Sequence, residues 1–272
     1  LAGGTLRIIH TFLIPVFGTR NVITVATLLK LIPCIGIGLA VMTPGTPYWM
    51  FLLLAFTAGF GGGDFSSYMP STSLFFPKRL QGTALGIQAG VGNFGVSVAQ
   101  FVTPWIIGFS IAGTLGAAQT FTKGAVTKSL WVQNAAFWYV PLLVIFGIAA
   151  WVGLRSVPVK ASFSEQLDIF KNKHTWFCTA TYVMTFGSFS GFAASFPLMI
   201  KEVYGKFDGA PDPLKYAFWG PLIGSVVRVI FGFVADKTGG AILTHLAGLG
   251  LAGCAIAIPM MGLTVGEIFY LA

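Results

Sequence analysis

Apolar runs long enough to cross a bilayer alternate along the chain with short polar or basic turns. They cover residues 1–17, 22–42, 48–76, 83–108, 134–154, 174–200, 215–235 and 241–262, and another starts at 264–272. A membrane-crossing helix needs about 20 apolar residues, whereas barrel strands alternate over segments of about ten. The pattern therefore predicts helical spans. In the run 83–108, Gly86, Gly90, Asn93, Ser97, Gln100 and Pro104 recur at steps of four and three, which is one face of a helix. Leu85, Ile87, Val91, Phe94, Val96, Val98 and Phe101 fill the other faces. Gly59, Gly62, Ser66, Pro70 and Ser73 form a similar seam in the preceding run. Small residues along one stripe let helices approach closely in lipid, and packing accounts for most of these glycines. Asn93 and Gln100 need more, because an amide at membrane depth requires a partner.

The turns sort by charge. If the spans simply alternate, residues 18–21 (Arg20), 77–82 (Lys78, Arg79), 155–173 and 236–240 (Lys237) fall on one side. The uncharged turn 43–47 and the long stretch 109–133 fall on the other, with the 201–215 loop. The excess of cations on cytoplasmic loops places the first group in the cytoplasm. The longest cytoplasmic connection divides the chain into a half bundle at 1–155, a linker at 156–173 and a second half bundle at 174–272. Within the linker, Ser162 and Glu165 are spaced as a capping box for a short helix with Leu167, Ile169 and Phe170 on one side. Such a helix suits the membrane interface.

Composition agrees with this layout. Of 272 residues, 55% are hydrophobic and 9% charged, with 26 phenylalanines; a soluble domain carries roughly 25% charged residues. The fold class is all-α, a polytopic transmembrane helix bundle. The net charge of +8 is spread over loops, so topology explains it and a nucleic-acid partner does not. Cys34, Cys178 and Cys254 lie scattered in apolar runs, without spacing for a disulfide framework or a metal.

Candidate chemistry enters with two arginines. Arg7 precedes Gly18 by eleven residues, and Arg228 precedes Gly239 by eleven, each inside an apolar helix that leads into a basic cytoplasmic turn. Eleven helical residues rise about 16 Å in a hydrocarbon core about 30 Å thick. Both guanidiniums belong near the midplane, one in each half, which is how secondary transporters build a central site. An arginine at that depth costs at least ~2.5–3.5 kcal/mol unless partnered. Asp64 is the carboxylate well inside a span, while Asp236 and Glu267 lie near span ends, and one acid does not neutralise two arginines. Each arginine either caps carbonyls or pairs with Asp64, or the two await a small anion whose planar oxygens match the guanidinium fork. Tyr182, Phe186, Phe189 and Ala193 share one helical face. The Tyr182 hydroxyl can donate to an anion while phenyl faces enclose it; ordinary aromatic packing is the alternative for Phe189. His10 lies one turn from Arg7 and can titrate in the pathway or simply hydrogen-bond. Lys30, nine residues into its span, has no evident role.

The stretch GFGGGDFSSYMPSTSLFFPKRLQGTALGIQAGVGNFGVSVAQ resembles the fourth helix, turn and signature fifth helix of the nitrate/nitrite porters of the major facilitator superfamily. GGTLR, TYVMTFGSFSGFAASFP and DPLKYAFWGPLIGSVVR extend the likeness to nearly the whole chain. The resemblance implies a twelve-helix carrier working by alternating access, about nine of whose spans are here, from the second helix to the start of the tenth. It implies that Arg7 and Arg228 bind substrate with Asn93, that Phe65, Tyr182 and Phe186 form the aromatic cage and hydroxyl donor, and that Gly86, Gly90, Gly92 and Gly95 are signature packing glycines. Asp64 stands where the family pattern has asparagine, so it is a candidate proton carrier or counter-ion, as is His10. The expected cargo is nitrate and nitrite, by exchange or with protons, across the cytoplasmic (inner) membrane, in a lipid-embedded monomer without cofactor, metal or nucleic acid. Another small anion or an organic solute is the alternative cargo. An embedded enzyme or haem subunit would need paired histidines or an acid cluster, and a structural subunit leaves the two arginines unexplained.

Overall fold

Among the described residues the apolar runs fold into helices, several of them divided into shorter pieces. The computed structural model describes residues 2–110, 116–123, 126–156, 163–204 and 212–260. The first run is α1 (Ala2–Phe17), and the second is α2 (Thr19–Leu29) and α3 (Leu31–Met42), interrupted at Lys30. The third is split by Gly59 and Asp64 into α4 (Tyr48–Ala58), α5 (Phe60–Gly63) and α6 (Phe65–Phe75). The fourth is the unbroken α7 (Gln81–Ile106), and the fifth is α8 (Asn134–Phe137) with α9 (Tyr139–Gly153). After the linker helix α10 (Phe163–Gln166) come α11 (Lys173–Met199), α12 (Pro213–Tyr216), α13 (Trp219–Thr238) and α14 (Gly240–Met260). Ser162, Glu267 and the run at 264–272 lie outside the described residues.

Among the described residues, five helical stretches are long and apolar enough to cross a membrane: Thr19–Met42, Asn134–Gly153, Lys173–Glu202, Pro213–Thr238 and Gly240–Ala257. Burial is inverted relative to a soluble protein. Ser67, Ser71, Asn93, Ser97, Gln133, Asn134 and Ser225 are buried, while Val152, Trp49, Phe146 and Ile256 face outward. In lipid the apolar side chains are at home outside, and small and polar groups share the interior with Phe12, Ile14 and Ile200. Hydroxyls inside the helices bond back to the preceding turn, as Thr27 does to the Ile23 carbonyl at 2.8 Å and Ser71 to that of Ser67 at 2.8 Å. That satisfies a donor where no water competes.

The chain packs as two compact units, Leu1–Phe75 with Val102–Leu167, and Phe76–Phe101 with Asp168–Ala272. In the first unit α1 packs on α5 and α6, α2 on α9, and α3 on α4 and α8. In the second, α11 meets α12, α13 and α14. Most of α7 thus groups with the C-terminal helices, whereas the division at the linker assigns it to the first half. The amides of His174 and Leu214 donate to the side chains of Asn172 and Asp212, and these caps begin α11 and α12.

The stretch between α7 and α8 holds an antiparallel hairpin, β1 (Gln119–Lys123) and β2 (Val126–Leu130), in register from Gln119 opposite Leu130. A buried amide network anchors it. Gln119 donates from Nε2 to Gln133 at 2.9 Å and accepts the Val132 amide at 3.0 Å, and Asn134 donates to the Phe109 carbonyl at 2.9 Å.

Candidate functional site

In the first unit the break between α5 and α6 organises the polar side chains. Arg7, half-buried on α1, donates from Nε to the Gly62 carbonyl at 3.0 Å, and its Cζ lies 5.3 Å from the centre of the Phe65 ring. One bond and one aromatic face fix the plane of the guanidinium. Close approach of α1 makes this possible: a methyl on Gly62 would meet the Gly3 Cα at 3.3 Å.

Asp64 is 2% exposed, and its carboxylate pairs with Lys30. The Tyr68 hydroxyl closes the ring, donating to Asp64 at 2.8 Å and accepting from Lys30 Nζ at 3.3 Å. Lys30, unexplained by sequence, reaches this site from the junction of α2 and α3. The missed signal was the pairing of an intramembrane cation with an intramembrane acid in a neighbouring span.

His10 sits beside this group. Ser67 donates its hydroxyl hydrogen to the His10 carbonyl at 3.0 Å, so the second contact, His10 Nδ1 to Ser67 Oγ at 3.0 Å, has the ring nitrogen as donor. The tautomer carrying hydrogen on Nδ1 follows, which leaves Nε2 as the basic position. Of the seam expected at Ser66, Pro70 and Ser73, all three are half-buried, and the fully buried positions are Gly63, Asp64, Ser67 and Ser71.

In the second unit the α7 seam meets α13 and α11 as its periodicity requires. A methyl on Gly86 would lie 2.7 Å from the Gly232 Cα and 3.2 Å from the Arg228 carbonyl; one on Gly90 would lie 2.8 Å from the Ser225 carbonyl. One turn further, Asn93 is buried at 8% exposure. Ser97 donates to the Phe218 carbonyl at 2.8 Å and Gln100 to the Ala193 carbonyl at 3.0 Å. Among the described residues, a methyl on Gly92 or Gly95 meets nothing within 4 Å. They lie off the stripe that runs through Gly86, Gly90 and Asn93.

Tyr182 and Phe186 stack with centroids 5.2 Å apart and planes 4° from parallel, and Phe186 continues to Phe189 at 6.1 Å. The Phe189 ring edge lies where a methyl on Gly224 would sit, at 3.2 Å, so Phe189 is helix packing. Arg228 is half-buried on α13, four residues before the Gly232 that touches α7.

The echo between the two arginine helices holds at the backbone. Gly18 has φ 79° and ψ 153°, and Gly239 has φ 89° and ψ 137°. Each closes its helix by donating to the carbonyl four residues back, at 2.9 Å in both cases. Only glycine adopts that conformation without strain. The eleven-residue offset from arginine to turn is therefore a repeated structural unit, once in each compact unit.

A model of the Major Facilitator Superfamily matches residues 1–272. The chain is 63% identical over 262 residues to the probable nitrate/nitrite antiporter NarK2 of Thermus thermophilus, covering 96% of this chain and 59% of that protein. It is 40% identical over 247 residues to the nitrate/nitrite transporter NarU of Escherichia coli (strain K12), covering 90% and 52%. The nitrite extrusion protein of Bacillus subtilis (strain 168) is 29% identical over 269 residues, covering 97% and 61%. The chain thus spans little more than half the length of these curated relatives. They are named as an antiporter, a transporter and an extrusion protein, in agreement with a multi-pass helix bundle and not with an enzyme. The family match runs from the first residue to the last, and the chain belongs to the major facilitator superfamily.

Proposed function

We propose that the protein is a secondary carrier of nitrate and nitrite in the cytoplasmic membrane. Arg7 and Arg228 hold the anion, one from each half, with Asn93 and the Tyr182 hydroxyl as further donors and Phe65 and Phe186 as apolar walls. The observation that carries this reading is the repeated helix–glycine unit, which sets an arginine eleven residues before a positive-φ turn in each half. A planar guanidinium suits a planar oxyanion, since both oxygens of a nitrate edge can accept from one fork. The relatives named as nitrate/nitrite transporters or antiporters point to the same cargo.

The halves, 1–155 and 174–272, rock about the bound anion. Two cations repel in the empty carrier and an anion relieves that repulsion, so closure is favoured when cargo is bound. Exchange of nitrate for nitrite follows. Asp64 is engaged by Lys30 and the Tyr68 hydroxyl; it and His10 are the candidate groups should protons be coupled.

Counterflow of labelled nitrate in proteoliposomes tests both parts. Arg7→Lys and Arg228→Lys keep the charge and lose the fork, and each is expected to abolish uptake. Survival of uptake in both variants overturns the site. Competition by nitrite, and not by organic anions, is expected; the reverse order of competitors points to another cargo.

A further inference from the structure

Lys30, Asp64 and Tyr68 form a neutral polar ring inside two spans, and nothing in anion binding by Arg7 calls for it directly. Its position explains it. Asp64 occupies the break between α5 and α6, two residues after Gly62 and one before Phe65. Those two neighbours are the groups that hold Arg7, through the Gly62 carbonyl and the Phe65 ring. A carboxylate so placed is a sequence neighbour of both groups that hold the arginine, and an internal carboxylate on a guanidinium competes with any anionic cargo. Lys30 prevents this, since its ammonium and the Tyr68 hydroxyl both engage Oδ2 of Asp64.

We propose that Lys30 is a positioning residue for anion recognition. It holds Asp64 away from Arg7, and it fixes the helix break that presents Gly62 and Phe65 to that arginine. The proposal rests on Arg7 as an anion ligand, and the consequences of the two ideas differ. A salt bridge that only stabilises the fold would make loss of either partner harmful in the same direction. A charge that restrains a competitor makes the two losses opposite in sign.

The test is the nitrate KM and kcat of reconstituted protein carrying Lys30→Met, Asp64→Asn and the double substitution. Lys30→Met is expected to raise KM about tenfold with kcat little changed, since a released carboxylate near a guanidinium is worth at least a factor of this order. Asp64→Asn is expected to leave KM unchanged or lower it, and the double variant to return KM to within about threefold of wild type. Tyr68→Phe, which removes one hydroxyl and keeps the ion pair, is expected to raise KM by about threefold, and it covers the case in which Lys30→Met does not fold. Movement of KM in the same direction by Lys30→Met and Asp64→Asn, failure of the double variant to rescue, or a Tyr68→Phe protein with wild-type KM overturns the proposal. Retention of uptake by Arg7→Lys instead overturns the reading of Arg7 and is scored separately.

Discussion

Asp236 on α13 caps the first turn of α7 by accepting the Thr83 amide at 2.7 Å and, through its other oxygen, the Gly82 amide at 2.8 Å. The first amides of a helix have no partner within it, and a carboxylate there also meets the positive end of the helix dipole. The cap comes from another helix of the same unit, 153 residues away in sequence, so it ties α13 to α7 as well as satisfying donors. Asp236→Ala is expected to lower the melting temperature in detergent and to speed exchange of the Gly82 and Thr83 amides. Asp236→Asn, which keeps one acceptor oxygen and loses the charge, is expected to fall between. Unchanged exchange at both amides in the alanine variant would show that the cap contributes nothing.

Glycine positions in α7 that look alike in sequence are expected to respond oppositely to alanine. At Gly86 the added methyl enters the space of Gly232 at 2.7 Å, backbone against backbone, and the helices must separate. Overpacking of this kind costs about 1–3 kcal/mol. At Gly92 and Gly95 no described residue lies within 4 Å of the added methyl, so alanine there gains helix propensity, worth up to about 1 kcal/mol. Thermal melts of Gly86→Ala, Gly92→Ala and Gly95→Ala check the contrast: the first is expected to be less stable than wild type and the other two equal or more stable.

That contrast marks what the sequence makes legible. The stripe Gly86, Gly90, Ser97 and Gln100 is readable because a regular helix carries its spacing directly into space, and each of those residues meets a neighbouring helix. The glycines at 92 and 95 belong to the same motif but not to the same face, and a motif carries no angle. Where a helix breaks, periodicity no longer transmits position. The burial of Ser67 and Ser71 and the pairing of Lys30 with Asp64 occur beside such interruptions, at Asp64 and at Lys30. The hairpin at 119–130 was obscured for another reason, since its short alternation of threonine with Phe121, Val126 and Leu130 lies in a stretch otherwise read as a loop.

Arg20 is a second cation whose role is geometric. Its Cζ stands 4.0 Å from the centre of the Trp151 ring, and its amide donates to the Ser156 hydroxyl at 3.2 Å, so the turn after α1 is fastened to the end of α9. A guanidinium over an indole is worth roughly 0.5–2 kcal/mol. Trp151→Leu is expected to lose stability in that range in a thermal melt, and Arg20→Lys to lose less, since the charge remains while planar stacking goes. Equal stability of wild type and Trp151→Leu would leave the stacking without consequence.

Membrane orientation follows from the same cations and is open to direct measurement. Arg79 is exposed in the basic turn before α7, and Ser129 is exposed on β2, one span away. Alternation places them on opposite sides, and the positive-inside rule puts Arg79 in the cytoplasm. With Cys34, Cys178 and Cys254 replaced by alanine, a single Ser129→Cys is expected to react with a membrane-impermeant maleimide on intact cells. Arg79→Cys is expected to react only after permeabilisation. The third span tolerates a break at Asp64 because its freed backbone is covered by α1, the Gly62 carbonyl accepting from Arg7 and Gly63 lying against Leu6. A residue pair labelled from the same side would mean that this interrupted segment, or α7 with its many small residues, does not cross the bilayer. The assignment of Arg7 and Arg228 to a common depth would then lose its basis, because that depth is measured from turns on one side of the membrane.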